Sequence, residues 1–218
     1  MYRLLFAVMI FILIGCGEEE QANRREEPVP ATKMEAQTDT EEVTAPPLAG
    51  VDLMPLKIGN SWVYELSTMD TLTGELSVSK IDTFRVERDT VLDGETFYFI
   101  SGMGPRGTLA TNREDGFWIM GPMGQPIMLA KFPGLDGDDF SMTLGPTVIS
   151  NRLDKAGLEI EVPAGKFYSY KYSQVMGPMR RTTYNYFAPG LGLVKMETLG
   201  SPMGKPIIVG RLIDYGAQ

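Results

Sequence analysis

Apolar and polar residues alternate along most of the chain from residue 51 onward. Gly59-Asn60 makes a turn, and then Trp62, Tyr64 and Leu66 alternate with Val63, Glu65 and Ser67. A period of two with one aromatic face predicts a half-buried strand. Thr73-Gly74 turns the chain. Leu76 to Val91 is a long run rich in Val, Ile, Thr and Phe, and Asp93-Gly94 is a strong hairpin signal before Thr96 to Ile100. Short strands are predicted at Leu109 to Thr111, Phe117 to Met120 and Ile127 to Phe132. Further ones follow at Thr147 to Leu153, Leu158 to Val162, Phe167 to Met176, Arg181 to Phe187, Gly192 to Leu199 and Ile207 to Asp214. A short helix is entertained only over Pro133 to Phe140. Ten or more strands at close spacing predict a mainly all-β domain. Its antiparallel sheet curls into a barrel or half-barrel, with a sandwich as the alternative.

The first fifty residues follow another pattern. Arg3 precedes an apolar run from Leu4 to Ile14, and Leu13-Ile14-Gly15-Cys16 closes it. Eleven apolar residues are too few for a spanning helix but suit a signal-peptide core. The run ends as a lipobox, so residues 1–15 are expected to be cleaved and Cys16 to be acylated. Each buried methylene contributes ~0.8 kcal/mol, so several acyl chains hold where one is marginal. Gly17 is not the aspartate of an inner-membrane retention signal, which favours outer-membrane delivery. From Gly17 to Gly50 the chain is rich in Glu, Thr, Ala and Pro and holds little that a core could use. Such a segment does not offset its ordering entropy. As a coil it would average roughly 30–35 Å end to end. The expected organisation is signal peptide 1–15, lipidated Cys16 with an acidic tether to 50, and one β-rich domain at 51–218.

Charge sharpens this division. The net charge is -8, of which residues 17–50 hold -6 and residues 51–218 hold -3, offset by Arg3. The domain is nearly balanced, without the basic surplus that nucleic-acid binding needs. The chain has no histidine, which removes the commonest general base and metal ligand. A lone cysteine permits neither an internal disulfide nor a cysteine-based zinc site.

Several patterns resemble chemical motifs. Gly102-Met103-Gly104-Pro105-Arg106-Gly107 fits GxGxxG by letter, but no helix is predicted after it and Pro105 interrupts the loop. Asp136-Gly137-Asp138-Asp139 gathers carboxylates, without the further ligands of a calcium loop. Met103, Met120, Met123, Met128, Met176, Met179 and Met203 lie near Gly-Pro turns. Thioethers suit Cu(I), yet adaptable core filler is the favoured reading. Pro122 to Ile127 echoes Pro202 to Ile207, read as turn punctuation. Ser79 and Lys80, adjacent on a strand, would point to opposite faces and form no dyad. Glu159 and Glu161 share a face that is expected to meet solvent. No catalytic residue, cofactor or metal site is assigned, and no enzyme activity is expected.

The tyrosines are the richest feature. Tyr168, Tyr170 and Tyr172 alternate on one strand, and Tyr184 and Tyr186 on the next. A turn at Gly177-Pro178 would set Tyr172 opposite Tyr184 and Tyr170 opposite Tyr186, stabilising the sheet by ~0.2–1 kcal/mol per pair. The same stripe, with Trp62 and Tyr64, is the candidate lining for a lipid or other apolar ligand.

Three segments together carry a resemblance: Pro55 to Tyr64, Val162-Pro163-Ala164-Gly165-Lys166-Phe167, and Tyr186 to Lys195. The combination resembles a broad group of bacterial envelope lipoproteins whose folds look like the curved sheet of the Lol-type lipoprotein carriers. The resemblance implies a lipid anchor and a half-barrel with an apolar inner face, and brings no catalytic residues. Two functions are expected from it. One is a binding or chaperone-like module for an apolar ligand or a partner's lipid, anchored to the membrane. The other is a structural subunit of an envelope protein complex. A deep apolar cavity would favour the first, and a filled core with an exposed apolar patch the second.

Overall fold

A computed structural model describes residues 50–70, 73–144, 147–176, 181–200 and 206–216. The expected signal peptide, Cys16, the tether, the Gly177-Pro178 turn and much of the second Pro-Met-Gly echo lie outside the described residues. The first strands are β1 (Ser61–Met69), β2 (Leu76–Leu92), β3 (Glu95–Ser101), β4 (Thr108–Arg113), β5 (Gly116–Met120) and β6 (Pro126–Lys131). The rest are β7 (Asp139–Leu144), β8 (Thr147–Val162), β9 (Gly165–Met176), β10 (Arg181–Ala188), β11 (Gly192–Leu199) and β12 (Pro206–Gly216). No helix occurs among the described residues.

The twelve strands form one antiparallel sheet in the order β6-β5-β4-β3-β2-β1-β12-β11-β10-β9-β8-β7. Each strand pairs with its chain neighbour except β6 with β7, and β1 with β12 joins the two halves. The sheet curls until β6 and β7 meet side by side, where Ile127 packs with Met142 and Ile149. The result is a nearly closed barrel. Closure is what hides sheet edges from unwanted pairing, and here it stops one ladder short.

The predicted turn at Asp93-Gly94 is realised, with φ of 52° and 83° at its two residues. Positive φ at both positions matches the right-handed twist of the flanking strands. Gly102 is needed for another reason: a Cβ there would lie 2.0 Å from the carbonyl oxygen of Thr83. The Gly102 to Gly107 motif links β3 to β4, a tight connection between antiparallel neighbours.

Three expectations are corrected. Residues 133–138 form a loop, not a short helix. The Gly137 N–H donates to the Leu153 carbonyl and the Leu153 N–H to the Asp138 carbonyl, so β8 takes the backbone groups that a helix would need. The strand β7 follows at once, where no strand is expected and only its first two residues fall in that helix. The two strands expected at Thr147 to Leu153 and Leu158 to Val162 are one, β8, whose register shifts at Leu153/Lys155 and Lys155/Leu158. Irregularities of this kind bend a strand and raise its twist. The bent β8–β9 hairpin reaches back to β12, where the Ala164 N–H donates to the Leu212 carbonyl.

The interior is filled by side chains. Trp62, Ile100, Phe117, Leu153, Tyr172, Phe187 and Leu212 are each at most 2% exposed. One end is stopped by the segment before β1, where Leu53 and Met54 are buried. That segment is tied on two sides: the Asn112 side chain donates to the Met54 carbonyl at 2.7 Å, and the Gly190 N–H to the Asp52 carbonyl at 2.8 Å.

Candidate functional site

The predicted aromatic residues separate into three environments. Trp62, Tyr64 and Tyr172 point inward and are fully buried. Trp62 Nε1 donates to the Leu191 carbonyl, Tyr64 Oη to the Leu193 carbonyl at 2.7 Å, and Tyr172 Oη to the Lys131 carbonyl at 2.6 Å. Each polar tip finds a backbone acceptor, which is the condition for burying these side chains cheaply. Tyr170 faces the same way and meets Phe132 edge-on at 5.2 Å. Burial pushes the phenols of Tyr64 and Tyr172 well above the ordinary tyrosine range.

Tyr184 and Tyr186 lie on the outer face. The expected cross-strand pairs do not form, because the register differs by one residue. Tyr172 lies opposite Asn185, Tyr170 opposite Phe187, Tyr184 opposite Ser173 and Tyr186 opposite Lys171. A slip of one residue sends a side chain to the other face, so β9 and β10 present their tyrosines oppositely. Outside, Lys171 sits 4.0 Å from the Tyr184 ring centre and Lys195 5.4 Å from that of Tyr186. Tyr186 Oη donates to Glu197 at 2.9 Å, and Lys195 pairs with Glu197 at 2.7 Å. Burial, then the neighbouring Glu197 charge, raises the Tyr186 phenol. Such a lattice of cations, rings and carboxylate contributes sheet cohesion. Tyr168 stands apart on the β8–β9 hairpin, 67% exposed. The seven residues therefore do not line one surface.

The inner face carries a polar row that the sequence did not announce. Gln174 donates to Asn151 at 3.1 Å, and the hydroxyls of Thr183 and Thr198 lie 3.1 Å apart. Asn151 and Thr198 are buried. Single polar residues at inward positions on four strands gave no pattern until pairing aligned them. The Asp136 to Asp139 loop is accounted for by its own ion pairs. Asp136 accepts from Lys155 and the Ala156 N–H, and Asp138 from Lys131 and the Leu135 N–H. These bonds hold both carboxyls below the usual range. No cluster of three metal-ligating His, Cys, Asp or Glu side chains occurs among the described residues. Glu161 is largely exposed and pairs with Lys166 at 3.6 Å.

Two surfaces remain unclaimed by the fold. The first is the leading half of β2. β1 pairs with Leu76 to Arg85, but β3 pairs only with Arg85 to Leu92. The edge before Arg85 is therefore open on its β3 side. Leu76, Val78 and Ile81 stand opposite Met69, Ser67 and Glu65, alternate positions of β1, so all three share the outer face. They are 44%, 56% and 54% exposed. Simple alternation would put Val78 and Ile81 on opposite faces. The register shift at Leu66/Ser67, which absorbs one residue of β2, brings them together. The second surface is an open cleft of about 350 Å³ at the β6–β7 seam. A shallower recess of about 410 Å³ lies beside Tyr168 and Tyr215.

Comparison with known proteins bears on the fold. No protein-family model matches the chain, and no curated protein matches it. A crystal structure from Bacteroides fragilis, called an exported protein with a YmcC-like fold, is similar over 77% of this chain and 100% of its own. It has a TM-score of 0.54 and 16% identity. A Parabacteroides distasonis structure, called a lipoprotein, aligns over 76% of this chain and 99% of its own, with a TM-score of 0.46 and 14% identity. The first supports the twelve-stranded architecture as a recurring fold.

Proposed function

We propose that this chain is a lipid-anchored protein of the bacterial cell envelope whose barrel is a protein-interaction module, not a carrier of lipid. The lipobox at Leu13 to Cys16 supports the anchor, and Gly17 supports delivery to the outer membrane. A Lol-like carrier needs an apolar chamber. Here Trp62, Tyr64, Phe117, Tyr172 and Phe187 occupy that space.

One observation carries the reading. Leu76, Val78 and Ile81 are exposed together on the outer face of a strand half that has no β3 partner. Exposed apolar groups beside an open edge mark an interaction surface on a soluble domain. The ion pair of Lys80 and Asp82, opposite Leu66 and Tyr64, puts charge on the other face of the same strand half, and charge beside an open edge restrains promiscuous pairing. The partner is another envelope protein with a complementary apolar face.

Photo-crosslinking in the native envelope tests it. A crosslinkable residue at position 78 should give a discrete protein adduct, absent when the probe is at 168. Ile81→Lys should abolish the adduct and Ile81→Val should keep it. Adducts to lipid alone, or none, overturn the reading, and an adduct of twice the chain's mass replaces the partner with a second copy. Fatty-acid labelling that is lost in Cys16→Ser tests the anchor.

A further inference from the structure

We propose that the end of the barrel around Tyr168 and Tyr215 docks on the lipid surface to which the chain is anchored. The proposal rests on the lipobox reading of Cys16. Three separate segments meet at this end: the start of β9, the β10–β11 turn and the end of β12. They wall the open recess of about 410 Å³ through Lys166, Phe167, Tyr168, Pro189, Gly190 and Tyr215. Phe167 meets Tyr215 edge-on at 6.2 Å, and the bond from the Ala164 N–H to the Leu212 carbonyl fixes the hairpin against β12. Tyr168 and Tyr215 are 67% and 43% exposed, so the fold positions two phenol rings that it does not bury.

The place where the chain enters the domain decides the occupant. The Gly190 N–H donates to the Asp52 carbonyl, and a Cβ at Gly190 would meet the Val51 side chain at 3.2 Å. The root of the tether therefore lies against the wall of the recess, and Val51 is itself 37% exposed. On the sequence reading, residues 17–50 span roughly 30–35 Å as a coil, which holds this end of the domain close to the bilayer. Tyrosine suits a lipid–water boundary, because its ring is apolar and its hydroxyl stays wet. Lysine does the same with its stem and ammonium group. Lys166, the one charged residue among the described lining, is 62% exposed and pairs with Glu161. A small ligand fits poorly, since sites bury ~70–90% of such a ligand and this recess is shallow and open. Tyr215 lies opposite Trp62 at the start of β1, and Leu76 opposite Met69 at its end, roughly 20–25 Å along the strand. Docking at one end thus leaves the β2 patch accessible to a protein partner.

The full chain, purified from its own envelope and reconstituted in vesicles of phosphatidylethanolamine and phosphatidylglycerol, carries a photo-crosslinkable residue at 168, 215 or, as a control, 148. Val148 is 58% exposed and sits at the far end of β8 from the hairpin. Mass spectrometry should find phospholipid adducts at 168 and 215, several-fold above those at 148. With the probe at 215, Tyr168→Asp should reduce the adduct by roughly threefold or more, and Tyr168→Trp should keep it. Ile81→Lys should leave it unchanged. Equal adducts at 168 and 148, no lipid adduct at 168 or at 215, or Asp and Trp variants that behave alike overturn the proposal. So does a discrete protein or glycan adduct at 168 in the native envelope. Fatty-acid labelling of the same preparation reports the anchor separately. Label without a lipid adduct at 168 sinks the docking and leaves the anchor standing, and absence of both sinks the anchor as well.

Discussion

Tyr172 and Tyr186 sit on adjacent strands, both buried, yet on opposite faces of the sheet. Tyr172 is inside, 1% exposed, with Phe187 and Phe140 around it and its hydroxyl on a backbone carbonyl. Tyr186 is on the outer face but only 6% exposed, under Lys195 and tied to Glu197. The inner position works by apolar burial, which scales with area and tolerates no gap. The outer one adds a charge and ring contact to its burial, and salt weakens only that added part. One residue of register separates these regimes, so the same side chain has different worth on either face.

The largest break in that comparison is Trp62→Ala. It empties the inner layer and should cost ~3–5 kcal/mol, a large part of a domain's stability. Chemical denaturation followed by circular dichroism would read it. Alkaline pH comes next. The neutral phenols of Tyr64 and Tyr172 are favoured in the fold, so their contribution is intact below the unfolded value of about 10. Above it, each should withdraw roughly 1.4 kcal/mol per pH unit. A denaturation series across that range should steepen downward, and the double variant Tyr64→Phe, Tyr172→Phe should flatten it.

Tyr172→Phe alone at neutral pH removes one buried hydrogen bond and should cost ~1–2 kcal/mol, measured as a lower denaturation midpoint. At the surface, Arg113 holds the Glu95 carboxyl below its usual range through hydrogen bonds at 2.6 and 2.8 Å. Stability from this pair is present above the unfolded carboxyl value and lost as pH falls through the folded one. Both side chains are about one-third exposed, so Glu95→Gln should cost less than about 1 kcal/mol. The wild-type difference should vanish in acid. Smallest is Tyr168→Ala, expected within about 0.5 kcal/mol of wild type by the same measurement. A larger loss would mean that the exposed tyrosine is part of the core.

Fold class was legible because alternation and turn residues are local signals. Asp93-Gly94 made its turn, and β1, β2 and β9 to β12 begin and end near where the pattern placed them. The acidic turn before it masks β7, although Phe140, Met142 and Leu144 alternate with Ser141 and Thr143. The aromatic site was only partly legible. Trp62 and Tyr64 do face one way, as their spacing requires. The tyrosines of β9 and β10 each share a face within their own strand, but spacing within a strand says nothing about the offset between strands.

The amino-acid sequence alone thus determined an all-β domain behind an apolar run and lone cysteine, because hydropathy period, turn chemistry and composition act over a few residues. Only the tertiary structure decided which face each aromatic takes and whether the interior is filled. It also decided that Val78 and Ile81 stand together and that the barrel stops one ladder short of closure. Those outcomes depend on register and irregular pairing between strands far apart in the chain, where a single inserted residue reverses inside and outside.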